Sequence, residues 1–378
     1  MNGRCIVCGA PLFEEPLFSC DNMPASAQDI PDAEQVQQDH GVRLPLCQCS
    51  GCGLIQLDCE PVAYYKDVIR AGGYTTTMTE LRRSQYKHFI DTYHLEGRKF
   101  IEVGCGRGEF LNVLKEFPVQ VYGIEHKEDL VEIARQNGLN VWHDFAQDEN
   151  HVLENGPFDA FCSFNFLEHQ PDPNGMMRCI YRNLSEGGMG LVTVPSVEYI
   201  LENDGYYELI HDHLAYYSEK TLRFLMEKNG FEVLEAEMVN RDTISLIVRK
   251  RSRVSATMLQ ENYEELWEQM QAFAKERTAD GKKLAVWGAS HQGFTLIPTL
   301  HLESFVSYII DSAPFKQGKF APASHLPIVA PDHFFEEPVD TILIVAPGYT
   351  QEIAGIIREK FGEHVCIATL RSRALELL

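Results

Sequence analysis

Ile101-Glu102-Val103-Gly104-Cys105-Gly106-Arg107-Gly108 carries an apolar run into three glycines at alternate positions, and a helical pattern follows over residues 110–117. An apolar run that ends in glycines and enters a helix reads as a strand, loop and helix whose backbone closes around a ligand. A loop that holds a dinucleotide pyrophosphate usually reads Gly-x-Gly-x-x-Gly. Here the last glycine comes one residue early, at Gly108, and Glu109 takes the expected place. About twenty residues further on, the next strand candidate ends at Glu125, where a carboxylate can accept both hydroxyls of a ribose.

The alternation continues outward from this stretch. Residues 129–137 and 175–183 have helical periodicity, and Phe158–Phe164 and residues 189–194 read as strands. Strand and helix in turn predict an α/β, doubly wound parallel sheet. Leu259, Tyr263, Leu266, Met270 and Phe273 follow at spacings of three and four, one apolar stripe of a linking helix. A second αβ run opens with Leu284-Ala285-Val286-Trp287-Gly288, and its own glycine loop, Gly288 to Gly293, is suited to a diphosphate, with Asp311 beyond the next strand. The expected organisation is a head over 1–65, a core over 66–250, a linking helix over 251–280 and a second Rossmann-like domain over 281–378.

The head is marked by cysteine. Seven of the 11 cysteines fall in the first 59 residues, among them the knuckles Cys5-Ile6-Val7-Cys8-Gly9 and Cys49-Ser50-Gly51-Cys52-Gly53. Two Cys-x-x-Cys pairs present four thiolates, which fill a zinc tetrahedron and so predict a structural zinc on Cys5, Cys8, Cys49 and Cys52. With 33 basic against 55 acidic side chains the net charge is −22, which disfavours nucleic acid and anionic lipid. No apolar run reaches the ~18 residues of a membrane span, and a cytoplasmic location is expected.

Three more places carry chemistry. Asp144-Phe145, an acid beside an aromatic face, follows a strand candidate. Asn165-Phe166-Leu167-Glu168-His169 is a polar run after the buried strand Phe158–Phe164. His211-Asp212-His213 sits among tyrosines; alternation on an extended chain would put both imidazoles on one side, with Asp212 orienting a neighbouring ring.

The glycine loop resembles the first motif of class I S-adenosylmethionine-dependent methyltransferases. The order of all the motifs resembles one family among them, the sugar C-methyltransferases that methylate a carbon of a nucleotide-linked ketodeoxysugar. The resemblance implies a zinc head, a class I methyltransferase core and a C-terminal Rossmann-like domain, with S-adenosylmethionine as cofactor and a nucleotide sugar as substrate. It implies that Gly104, Cys105, Gly106 and Gly108 wrap the cofactor, with Glu102 toward its amino end, Glu125 at the ribose and Asp144 and Phe145 at the adenine. Asn165 and Glu168 then stand where cofactor and acceptor meet, and Leu167-Glu168-His169 matches a family stretch. Asp212-His213 matches the family's acid-histidine pair, with His213 as base and His169, His211 and Tyr74 as further acceptor-site residues. Where the family commonly has tyrosine and lysine, this chain has Ile210 and Gln292. An O- or N-methyltransferase, a nicotinamide-dependent oxidoreductase and a non-catalytic nucleotide-sugar-binding protein are the alternatives, and the sequence leaves the oligomeric state open.

Overall fold

β-Branched and aromatic runs punctuated by glycine build three sheets, and their order along the chain fixes where the cleft opens. The structure is a computed structural model that describes residues 3–68, 75–371 and 374–378. Tyr74 lies outside the described residues. The chain folds into two units, Met1–Arg253 and Val254–Leu378.

The first unit begins with β1 (Phe18–Met23), β2 (Val42–Gln48) and β3 (Ile55–Leu57), an antiparallel meander beside the cysteine knuckles. Helix α1 (Thr76–Tyr93) leads into β4 (Lys99–Val103), α2 (Glu109–Leu114), β5 (Gln120–Glu125), α3 (Glu128–Gln136), β6 (Asn140–His143), β7 (Phe158–Phe164), α4 (Pro173–Asn183) and β8 (Leu184–Pro195). Helix α5 (Val197–Glu202), the two-residue strand β9 (Ala215–Tyr216), α6 (Glu219–Lys228) and the hairpin β10 (Phe231–Val239) and β11 (Thr243–Lys250) complete it. The large sheet runs β10-β11-β8-β7-β4-β5-β6, parallel from β6 to β8 with β11 inserted antiparallel. Strand order reverses between β4 and β7, so their carboxyl ends diverge into a crevice. This is the class I methyltransferase fold.

Helices on both faces of the sheet bury its rings. Phe100, Phe158 and Phe161 have no exposed surface, each worth roughly 2 to 3 kcal/mol of burial. Helix α4 starts where Asp172 accepts the Gly175 N–H at 2.9 Å with Pro173 in the first turn, a cap of about 1 kcal/mol. Helix α2 is shorter than its periodicity suggests, because the chain turns at Lys115 through Phe117 back toward β5.

The cysteine-rich residues are not a free-standing module. Strand β9, drawn from far along the chain, pairs with β3 through Ile55↔Tyr216 and Gln56↔Ala215 and completes a four-stranded sheet β1-β2-β3-β9. On α4, Asn174 donates to the carbonyls of Ile6 and Val7 at 3.0 and 2.9 Å, tying the first knuckle to the core.

In the second unit, α7 (Thr257–Arg277) buries Leu266, Met270 and Phe273, three of the five residues of its stripe. There follow β12 (Leu284–Trp287), α8 (His291–Thr299), β13 (Val306–Ile310), β14 (Lys319–Phe320), β15 (Pro327–Val329), β16 (Thr341–Ile344), α9 (Thr350–Phe361), β17 (Cys366–Arg371) and β18 (Ala374–Leu377). The sheet order is β14-β15-β13-β12-β16-β17-β18, with five parallel strands inside two antiparallel edges. No helix among the described residues is long and apolar enough to cross a membrane.

Candidate active site

The glycines after β4 adopt the left-handed conformation that only glycine takes without strain, with φ of 72°, 58° and 82° at Gly104, Gly106 and Gly108. A Cβ at Gly104 would lie 3.0 Å from the Phe166 ring, and one at Gly108 would lie 2.1 Å from Leu139. The loop is pinned to β5, since the N–H groups of Gly104 and Cys105 both donate to the Ile124 carbonyl. Glu125 then accepts the Gly106 N–H and the Lys127 N–H, each at 2.9 Å, one on each carboxylate oxygen. These bonds fix the buried Glu125 carboxylate against the loop.

Below the loop Glu102 is fully buried and Cys105 has no exposed surface. Asp144 accepts from the Phe145 N–H at 2.7 Å and contacts His151 Nε2 at 2.7 Å. The Phe145 ring stands edge-on to Phe166, His126 and Tyr65, with the Lys66 ammonium 4.9 Å from its centroid. Phe145 is therefore one wall of an aromatic box, partly built by the segment that leaves the head.

At the end of β7, Asn165 has φ of 48°, uncommon for a residue with a side chain and tolerated best by asparagine. It is held there by Thr193 on β8: the Asn165 N–H donates to the Thr193 carbonyl at 2.8 Å, and the Thr193 hydroxyl donates to Asn165 Oδ1 at 3.0 Å. A single turn then delivers Glu168 and His169 to the buried end of the cleft.

His169 Nδ1 lies 2.7 Å from the backbone carbonyl of Asp212. A carbonyl only accepts, so Nδ1 carries the proton and the Nε2 lone pair is left facing Glu168 Oε1 at 3.9 Å. The His213 ring meets the His169 ring edge-to-face at 4.7 Å between centroids. Burial drives the His169 imidazole down to about 4 and, with the neighbouring His169 adding to the effect, His213 down to about 3. Both rings are neutral near pH 7.

The His-Asp-His triplet corrects two expectations. The segment is a turn, not an extended run, so its imidazoles do not share a side. His211 has Nδ1 2.8 Å from the Ala25 carbonyl and Nε2 2.9 Å from the Glu60 carbonyl, leaving no ring nitrogen for substrate, while His213 lines the cleft. Asp212 positions His169 through its main-chain carbonyl and not through its carboxylate, which accepts instead from the Tyr64 hydroxyl at 2.7 Å and the Ala27 N–H at 3.0 Å.

Gly104, Asn165, Glu168, His169 and His213 line one cleft of about 530 Å³, within the size range of small-molecule sites. Arg82, which the sequence reading passed over, lines it too. It is 1% exposed, its guanidinium lies 3.5 Å from the Phe164 ring centroid, and Nη1 donates to Gln85 at 2.6 Å. On a mostly polar helix one arginine among two in succession gives no local signal; its burial against β7 does.

The four knuckle thiols have ligand atoms within 4.8 Å of one another, with Cys5 and Cys52 sulfurs 3.6 Å apart and Cys8 and Cys49 sulfurs 3.3 Å apart. Zinc–sulfur bonds of ~2.3 Å give a tetrahedron with edges of roughly 3.8 Å. The N–H groups of Val7, Cys8, Gly51 and Cys52 point at the Cys5 and Cys49 sulfurs at 3.2 to 3.4 Å, the surroundings that thiolate ligands require.

Residues 78–236 match the family described as methyltransferase domain, and residues 253–365 match the C-methyltransferase C-terminal domain. The chain is similar to the C-methyltransferase NovU of Streptomyces niveus, 23% identical over 287 residues that make up 68% of each chain. It is 34% identical over 99 residues to the ubiquinone biosynthesis O-methyltransferase of Xanthomonas oryzae pv. oryzae (strain PXO99A), a match of 25% of this chain and 41% of that one, less than half of the relative's length. Among solved structures, an S-adenosylmethionine-dependent methyltransferase from Clostridium acetobutylicum ATCC 824 aligns with 46% of this chain and 92% of its own, at 13% identity and a TM-score of 0.39.

Proposed function

We propose that this S-adenosylmethionine-dependent methyltransferase is a C-methyltransferase, which methylates a carbon beside a ketone on a nucleotide-activated deoxysugar with His213 as the base. The observation that carries this reading is the single cleft into which both the glycine loop and the His169–His213 pair open.

The glycine loop fits the cofactor because its left-handed turn brings bare backbone to the cleft at Gly104, where a side chain would press on Phe166 of the same lining. Gly104 and its neighbours wrap the methionine portion, Glu125 accepts the ribose hydroxyls, and Asp144 and Phe145 flank the adenine. When bound, S-adenosylmethionine supplies an electrophilic methyl group on a sulfonium. A carbon beside a ketone becomes nucleophilic only when a base removes its proton. His213, neutral and with its ring in the cleft, would take that proton on a ring nitrogen and later return it to solvent, leaving the carbon able to accept the methyl group that the bound cofactor would supply. His169 faces Glu168, so a proton reaching its Nε2 gains an ionic partner. Much of the rate comes from holding acceptor and cofactor in line.

Incubation with a panel of nucleotide sugars and S-adenosylmethionine, read by mass spectrometry and by NMR of any methylated product, tests the reading. A new methyl on carbon supports it. A methyl on oxygen shifts it to the O-methyltransferase reading.

The sulfur spacing and N–H surroundings support one structural zinc on Cys5, Cys8, Cys49 and Cys52. Metal analysis should give one zinc per chain, and a Cys49→Ser, Cys52→Ser double variant that keeps full occupancy would rule out this ligand set.

A further inference from the structure

The head grips the turn that carries His213 at several points. His211 bridges the carbonyls of Ala25 and Glu60, Asp212 is held by Ala27 and Tyr64, and the Tyr216 hydroxyl both accepts the Ile210 N–H at 2.9 Å and donates to the Ile210 carbonyl at 3.1 Å. Of these contacts the Tyr64 hydroxyl is the most consequential, because the direction of its proton can be worked out. Ser26 Oγ accepts the N–H groups of Gln28 at 3.1 Å and Asp29 at 2.7 Å, so its own proton is free to point at the Tyr64 oxygen 2.6 Å away. Tyr64 then spends its one proton on the Asp212 carboxylate at 2.7 Å. Asp212 is 2% exposed, so its carboxylate depends on these donors, and its main-chain carbonyl fixes the His169 proton on Nδ1. Tyr64 meets the carboxylate of Asp212 and His169 meets its main-chain carbonyl, so the link between them is positional: anchoring the buried side chain fixes where that carbonyl stands.

We propose that Tyr64 is a positioning residue for the imidazole pair: through Asp212 it keeps His169 protonated on Nδ1, with the Nε2 lone pair directed inward beside His213. Tyr64 touches neither imidazole, and its place is set by the segment joining the head to the core. The next residue, Tyr65, serves the other half of the cleft by packing on Phe145, so two adjacent tyrosines divide acceptor side and cofactor side between them.

The test needs no acceptor. In full-length protein labelled with 15N-histidine, long-range 1H–15N spectra report which nitrogen of each ring is protonated, and a His169→Gln variant assigns the His169 signal. The wild type should show the Nδ1-protonated pattern for His169. Tyr64→Phe should lose that pattern, and Ser26→Ala should weaken it in the same direction, while S-adenosylmethionine affinity by calorimetry stays within two-fold. If Tyr64→Phe does not fold, Ser26→Ala carries the test alone. An unchanged His169 pattern in a folded variant overturns the proposal, and so does its loss together with cofactor affinity, which would mark a general collapse. A second arm in heavy water, with S-adenosylhomocysteine and nucleotide-linked 4-keto-6-deoxyhexoses as probes, reads exchange of the acceptor proton. This proposal takes its catalytic meaning from the carbon-methylation reading, yet the two fail separately: the tautomer reports on Tyr64, and absence of exchange in wild type counts against the acceptor alone.

Discussion

Each unit sets a glycine loop at the carboxyl end of a central parallel strand, and each clasps it with a carboxylate from the adjacent strand. Glu125 accepts the N–H groups of Gly106 and Lys127; Asp311 accepts those of Ala289 at 3.0 Å and Ala313 at 2.9 Å. In both, one donor belongs to the loop and the other lies two residues after the acid. The surroundings then diverge. Asp311 also holds the Lys316 ammonium at 2.9 Å, while Glu125 stands at a loop whose first glycine lines a cleft with two imidazoles. Gly288 is crowded by backbone, a Cβ there meeting the Val345 carbonyl at 2.6 Å, whereas the atoms nearest a Cβ at Gly104 belong to the Phe166 ring, at 3.0 Å. The same backbone device thus borders the cleft in one unit and carries an ion pair on its clasp in the other.

The largest difference should appear in acid. Above pH ~6.5 both imidazoles are neutral whether the chain is folded or not. Between there and the folded values of about 4 and about 3, the unfolded chain takes up protons that the folded one refuses, so stability falls as pH falls and the loss is complete below about 3. Amide hydrogen exchange followed by mass spectrometry should show residues 164–217 losing more protection between pH 7 and pH 5 than residues 284–311. Equal loss in both regions would break the comparison.

Next in size is the effect of filling the loops. Gly104→Val combines a left-handed backbone with contact against Phe166, a cost of roughly 2 to 3 kcal/mol, and should weaken S-adenosylmethionine binding about 30- to 100-fold by calorimetry. Gly288→Ala should lower the melting temperature and leave that affinity within two-fold. Glu125→Ala should then cost about ten-fold or more in cofactor affinity, from charge-assisted bonds of ~1.5 to 3 kcal/mol, with Asp311→Ala as the matched change that leaves it intact. Smallest of all, Lys316→Met should change stability by under ~1 kcal/mol, the usual worth of a pair near the surface. A larger loss in a denaturation curve would mean that the second loop is held by that pair more than by its backbone.

What could be read in the sequence was local. Three glycines at alternate positions and an acid at the end of the next strand are short-range patterns, and the loop and its clasp lie within the 22 residues from Gly104 to Glu125. The knuckles are legible for the same reason. The acceptor side was not, because its contacts join residues 148 and 185 positions apart, Tyr64 and Ala27 to Asp212. No periodicity announces a tyrosine hydroxyl that meets a distant carboxylate, and alternation misplaced His211 because the chain turns there. Arg82 escaped for a related reason: its burial comes from rings on α2 and β7.

Strand β9 gives the head sheet a history as well as a shape. Ile55 cannot pair with Tyr216 until the whole methyltransferase sheet up to β8 has been made, which at typical synthesis rates of ~5 to 20 residues per second takes on the order of ten to thirty seconds. During that interval the outer edge of β3 is an open row of backbone donors and acceptors. The head, made before the core strands β4 to β8, is thus finished only after them, and its final strand arrives together with the turn that bears His213.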